Sequence, residues 1–209
     1  NGSNAVTNEV DWQLQQHLVQ IARDVEVGFI KNTMVEPANN STARKTAGLA
    51  SVITTNVKNN ADTTLDKDDI LDVMQMCYDN GGLMEGETRV LMVGSTQKRA
   101  ISGAFVNATG GDRWQDSNVG GVNCQSIETD FGKLNVMLNR HVPSDEAYVL
   151  SLEDLDVAFL EVPGKGHFFV EPLSKTGAAD KYQIYGEIGL KYGNQRKHGR
   201  LHNIGGYSS

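Results

Sequence analysis

The stretch Glu128–Glu146, ETDFGKLNVMLNRHVPSDE, crowds an Asp-Phe-Gly, an Asn-Arg-His and a proline turn around an apolar run. Read as chemistry, it offers a metal-binding triplet, or acids and a base on one wall. Read as backbone, it is a hairpin. Asp and Gly are turn formers, Val122–Asp130 supplies one arm, and Lys133–Val142 supplies the other. In the second arm Leu134, Val136 and Leu138 alternate with Lys133, Asn135, Met137 and Asn139. That period of two suits a strand with one buried face and assigns the three aliphatic residues to the core. The kinase Asp-Phe-Gly works only with a glycine-rich loop, its lysine and a His-Arg-Asp loop. None of these precedes it here.

Towards the N-terminus, Val10, Leu14, Leu18, Ile21, Val25 and Phe29 recur at helical spacing, predicting a long amphipathic helix from Asn8 onward. A loop rich in Asn, Ser and Thr follows, with a short extended piece expected over Leu49–Asn56. A second helix begins at Asp66–Asp69, where carboxylates favour the positive end of the helix dipole. It presents Ile70, Val73, Met74 and Cys77 on one side and stops at Gly81-Gly82. Arg89–Val93 is a strand apolar enough to be covered on both faces. A third helix follows Ser95, and Asn107–Gly121, rich in glycine and polar residues, reads as a loop. From Val122 onward strands dominate, with candidates in AYVLS, VAFLEV, HFFVE, KYQIYGEIGLKYG and RLHNIG. Helices first and strands later give an α+β class.

The composition excludes several functions. A net charge of -7 opposes a dedicated nucleic-acid binder. No apolar run reaches the ~20 residues of a membrane span. The two cysteines, Cys77 and Cys124, lie in different kinds of segment and read as buried free thiols, which points to a reducing compartment. His17, His141, His167, His198 and His202 lack the paired motifs of zinc sites and read as surface or interface histidines, although Glu128, Asp130 and His141 could converge across the hairpin. VGSTQKR opens a helix after a strand but is not a complete phosphate loop. The basic residues Lys191, Arg196, Lys197, His198 and Arg200 read as a solvated or subunit-contacting strand end. No catalytic residue, cofactor site or metal site is assigned.

What remains is an order of strings. A helix ends in Arg23-Asp24-Val25-Glu26, and Arg44 leads to Gly48-Leu49. A Thr-Asp-Phe-Gly turn carries Asp130 and Gly132, and Asn139-Arg140 follows it. Leu-Ser-Lys-Thr-Gly then precedes a last long strand bearing Glu187. In this order and spacing the chain resembles the major capsid proteins of tailed bacteriophages, which have the Hong Kong 97-like fold, from about residue 8 to about residue 204.

The resemblance implies an α+β capsid fold with a long spine helix, a peripheral (P) domain and an axial (A) domain. Residues 1–60 would hold the spine helix and the start of the P domain. Residues 61–125 would hold part of the A domain, with the Asn107–Gly121 loop at its tip. Residues 126–209 would return through both domains, the Asp-Phe-Gly hairpin turning the chain from one lobe to the other. Arg23, Glu26, Arg44, Asp130, Gly132, Arg140 and Glu187 would be structural or interface residues.

The function implied is a non-catalytic subunit that self-assembles around a double-stranded DNA genome. Its partners would be identical subunits in pentamers and hexamers, with portal, scaffold or decoration proteins besides. No specific nucleic-acid binding and no membrane would be involved. Its place would be the virion, after assembly in the cytoplasm of a bacterial host. The family carries an N-terminal arm and an E-loop before the spine helix, and the expectation is of a chain without them. An encapsulin-like compartment shell shares the fold and is the alternative. An enzyme joining Asp130, Arg140 and His141 is a third reading.

Overall fold

The computed structural model describes residues 9–84, 86–107, 115–119, 122–175, 177–178 and 181–206, and within 103–125 the backbone alone. Its elements run α1 (Glu9–Lys31), α2 (Leu49–Val52), β1 (Val57–Asn59), α3 (Lys67–Asp79), β2 (Arg89–Val93), α4 (Ser95–Asn107), β3 (Gln115–Val119), β4 (Val122–Thr129), β5 (Gly132–Leu138), β6 (Ala147–Ser151), β7 (Asp156–Leu160), β8 (Phe168–Leu173), β9 (Lys181–Lys191) and β10 (Gly199–His202). Among the described residues the strands form two sheets. A large one has the order β1-β10-β6-β2-β5-β4-β3, and a small one has the order β7-β9-β8.

The large sheet is covered on both faces, as the apolar β2 requires. Leu91 and Val93 face one cluster, with Ile70, Val73 and Met74 of α3 and Ala100 and Ile101 of α4. Val90 and Met92 face the other, with Ile30 from the end of α1 and with Leu49 and Ile53 at α2. The acidic start of α3 forms a capping box between Asp66 and Asp69. This satisfies two backbone donors that a helix start leaves unpaired.

The Asp-Phe-Gly turn joins β4 to β5 as a hairpin, with Thr129 opposite Gly132. It turns the chain within the large sheet, not between two lobes, because β5 goes on to pair in parallel with β2. The passage to the small sheet comes later, at Leu152–Leu155. The expected alternation also fails: Leu134, Asn135 and Val136 are all buried, while Leu138 is 59% exposed. Neighbours on both edges and cover on both faces make burial follow position along β5. Asn135 is accommodated because its side-chain amide donates to the Arg89 carbonyl at 3.1 Å.

Gly132 sits at φ +99°, and a Cβ there would lie 2.4 Å from Nη1 of Arg89. That guanidinium donates to the carbonyls of Phe131 (2.5 Å), Leu83 (2.7 Å) and Met84 (2.9 Å), so it cannot withdraw cheaply. Gly132→Ala is expected to cost about 2 kcal/mol from the backbone conformation and the displaced arginine. Chemical denaturation of the two proteins measures this.

Two segments differ from the sequence expectation. Leu49–Val52 is one helical turn instead of an extended piece, because Gly48 caps it and Ser51 Oγ donates to the carbonyls of Asn32 (2.9 Å) and Gly48 (3.0 Å). Gln115–Val119, expected in a loop, is strand β3, paired antiparallel with β4 from Gln115↔Ser126 to Val119↔Val122. A ladder to a formed neighbour outweighs the weak strand propensity of Gln, Asp, Ser and Asn. The rest of the expected tip loop, 108–114 and 120–121, lies outside the described residues.

Candidate assembly surface

The small sheet is an excursion between two paired strands of the large one. The chain leaves after β6 and returns at β10, and those two strands are hydrogen-bonded neighbours. Cross-strand partners share a face, so the register sorts the side chains. Phe159↔Ile188, Val157↔Leu190, Val170↔Ile184 and Phe168↔Gly186 lie on one face, with Pro172↔Tyr182 at its end. No carboxylate, lysine, arginine or histidine of these strands stands on that face. Gly186 lets the ring of Phe168 lie flat over the backbone, where a Cβ would meet it at 2.7 Å. Phe159 packs edge-on against Phe168 at 6.3 Å between centroids.

An apolar sheet face normally belongs in a core. Here α1 meets the small sheet through β9, and Ile184, Gly186, Ile188 and Leu190 are half-covered. The flanking strands stay open: Phe159 is 45% exposed and Val170 43%. The N-terminal half of α1 exposes apolar side chains too, with Trp12 and Val19 both at 48%. Val10 and Leu18, expected in the buried stripe, are also exposed, and Leu14, Ile21 and Val25 are only half-buried. An uncharged, partly open sheet face of this kind marks a place for a protein partner.

The opposite face is crossed by the segment between α1 and α2. A bridge between Val35 and Lys45 closes that segment into a loop. Arg44 Nη1 reaches Glu187 Oε2 at 3.3 Å, and Tyr185 donates to the same carboxylate at 2.6 Å. With Arg44 mostly in solvent, this pair is worth at most about 1 kcal/mol.

The other sequence-selected residues divide. Glu26 meets the exit of the β5 stretch: Asn139 Nδ2 donates to it at 2.8 Å and His141 Nε2 stands 3.6 Å away. α1 is thereby tied to the Asn-Arg-His string. Arg23 and Arg140 are exposed and have no ion-pair partner among the described residues. Asp130 lies in the β4–β5 turn. His141 lies past the far end of β5, roughly 25 Å away at the rise of an extended strand. Glu128, Asp130 and His141 therefore do not converge, and neither does the trio Asp130, Arg140 and His141.

Of the C-terminal basic cluster, expected as a solvated or subunit-contacting strand end, Lys191 and Arg196 are exposed, while Lys197, His198 and Arg200 are engaged inside the molecule. Lys197 bridges Glu87 (3.1 Å) and Asp154 (3.0 Å), and Arg200 pairs with Glu146 at 2.5 Å. His198, expected at the surface, is completely buried. The chain folds back after β9, and that places these residues opposite acids far away in sequence. The helix start after Gly94 is no anion site either. Gln97 donates to the Ser144 carbonyl at 2.5 Å, and the Val142 carbonyl lies 3.2 Å from where a Gly94 Cβ would be. Cys77 is a buried free thiol, and its burial pushes the thiol pKa up to about 12. Arg89, Arg200 and Gly48 carry much of the architecture, and the sequence shows none of the parts they play in it. Each acts on carbonyls or carboxylates that only the fold assembles.

Three solved structures share this architecture. The holo-SrpI encapsulin complex from Synechococcus elongatus PCC 7942 aligns with a TM-score of 0.72 at 12% identity, over 100% of this chain and 70% of its own. The Cyanophage A-1(L) capsid asymmetric unit aligns with 0.66 at 11%, over 96% and 70%. A Mycobacterium phage Patience structure aligns with 0.63 at 11%, over 98% and 68%. These define the class: the fold is the Hong Kong 97-like fold of phage capsids and encapsulin. No curated protein sequence matches the chain. A family model does, over residues 1–205: the chain belongs to the SU10 major capsid protein family and is a structural capsid subunit.

Proposed function

We propose that this subunit self-assembles, without catalysis, into an icosahedral shell around the double-stranded DNA of a tailed phage or prophage. Copies form pentamers and hexamers in the cytoplasm of a bacterial host, and portal, scaffold or decoration proteins join them. In this reading α1 is the spine helix, residues 61–125 contribute to the A domain, and the small sheet belongs to the P domain. The acidic balance suits a container, since strong affinity for the genome would condense subunits on the DNA. Neither specific nucleic-acid binding nor a membrane has a part in it.

The observation that carries the reading is the uncharged, half-open face of the small sheet. A lattice protein buries surface through many moderate contacts spread over its neighbours. With Phe159 and Val170 both replaced by Glu, assembly is expected to fail while the chain stays folded. A charged side chain at a buried apolar contact costs about 2 kcal/mol or more at each interface, and a shell repeats that cost at every copy. Electron microscopy for particles and circular dichroism for the fold separate the two effects. Full-length protein that yields no particles under any assembly condition would refute the shell itself.

The likeness to SrpI encapsulin supports a second reading, a bacterial compartment shell. The contents decide between them: nucleic acid in purified particles favours the phage capsid, and packaged protein favours the compartment.

A further inference from the structure

His198 stands where the two sheets part. β6 and β10 pair up to Gly199↔Val149, and beyond that point the strands diverge into the excursion that builds the small sheet. At the point of divergence a side chain takes over from the backbone ladder. Nδ1 of His198 accepts from the Ser151 amide at 3.3 Å, and Nε2 donates to the Tyr192 carbonyl at 3.0 Å. Ser151 begins the outgoing crossing and Tyr192 lies on the returning one. The imidazole therefore fastens both crossings to each other and to the end of the large sheet.

We propose that His198 is a proton-sensitive latch between the two sheets, closed when the ring is neutral and released when it is protonated. Only the neutral ring has a lone pair on Nδ1. Protonation places an N–H against the Ser151 N–H, so one bond is lost and two donors oppose each other in a buried site. Without the latch, the crossings keep the Lys197–Glu87 and Lys197–Asp154 pairs and the packing of Leu155 and Leu190.

The charged groups facing the ring come from three segments. Asp154, in the turn after β6, and Glu87, before β2, favour the protonated ring; Lys197 beside it opposes. α3 packs against the neighbouring Gly199 with the Cys77 thiol, which stays uncharged. Burial is the largest influence and holds the ring below its ordinary value of 6.5. With the folded value depressed, the unfolded or opened state takes up protons first as pH falls. The latch is thus fully closed above about pH 6.5 and opens as pH drops through the lower, folded value. The proposal does not depend on shell assembly.

Amide exchange of Ser151 in the intact chain, followed by NMR from pH 7.5 to 5 and corrected for intrinsic rates, tests it. Wild type should lose protection as pH falls from about 6.5 towards the folded value, by up to about tenfold per pH unit, and level off below it. His198→Gln offers an acceptor and a donor that do not titrate, and should show no such loss. An equal loss in the variant, or none in wild type, overturns the latch. Should the variant not fold, the ring nitrogen shifts of wild-type His198 decide. Titration in step with the Ser151 amide supports the latch; titration that leaves the amide unmoved, or no titration before unfolding, overturns it.

Discussion

Gly48→Ala is expected to lower stability by about 3 kcal/mol, at the upper end for overpacking, and the melting temperature by about 9 °C for a chain of this size. A Cβ at this position would stand 2.6 Å from the Gly28 carbonyl oxygen, 2.7 Å from the Asn32 amide nitrogen and 3.0 Å from the Ile30 carbonyl carbon. All three are backbone atoms at the end of α1 or of the residue just past it, so no side-chain rotation relieves the clash. The backbones approach this closely because the Gly48 amide donates to the Asn32 carbonyl at 2.7 Å, clamping the end of α1 over the start of α2. Calorimetry gives the loss. Hydrogen exchange tells where it falls, since the amides of α1 should lose protection before those of β2. Uniform loss across the chain would contradict this clamp.

Arg200→Met is expected to cost about 3 kcal/mol, the low end for breaking a buried pair because the site is not wholly dry. Arg200 donates to the Ala50 carbonyl at 2.7 Å and to Glu146 at 2.5 Å, and Glu146 also receives the Tyr148 hydroxyl. Burial is the main force holding that hydroxyl protonated, with the Glu146 carboxylate adding to it. The Glu146 side chain is 12% exposed beside Arg200, and without the guanidinium its carboxylate keeps the phenol as its remaining partner among these three. Adding Glu146→Gln should recover part of the loss, because the uncompensated charge goes with it. A double-mutant cycle measured by denaturant unfolding reports that recovery. Strict additivity would mean that the two side chains are not coupled.

How much of this could be read from the sequence depended on the distance over which each feature is decided. The helix of α3 was readable because its cap and its buried stripe lie within a few turns of one another. β2 was readable as doubly covered because it carries no polar alternation. The order of strings named the family, and Gly132 was singled out through it. β5 misled, because alternation assumes one wet face, and its neighbours were invisible from Leu134–Leu138 alone. β3 was hidden because its pairing with β4, and not its own composition, makes it a strand. The basic C-terminal residues were misread for a related reason. Lys197 faces Glu87 and Asp154 only after the chain has gone out through the small sheet and come back. The meeting of Arg44 with Glu187 could not be seen either, although both residues had been singled out.

In the proposed shell, the open apolar face of the small sheet also ties folding to abundance. A surface that is hydrated in the free subunit and dry between copies links the folding equilibrium to association by mass action. The stability of the small sheet then depends on subunit concentration. Dilute chains would hold it loosely and expose it to proteases, and concentrated chains would hold it firmly. The shell thereby acts as its own quality filter, since a copy that cannot form this face gains nothing from its neighbours.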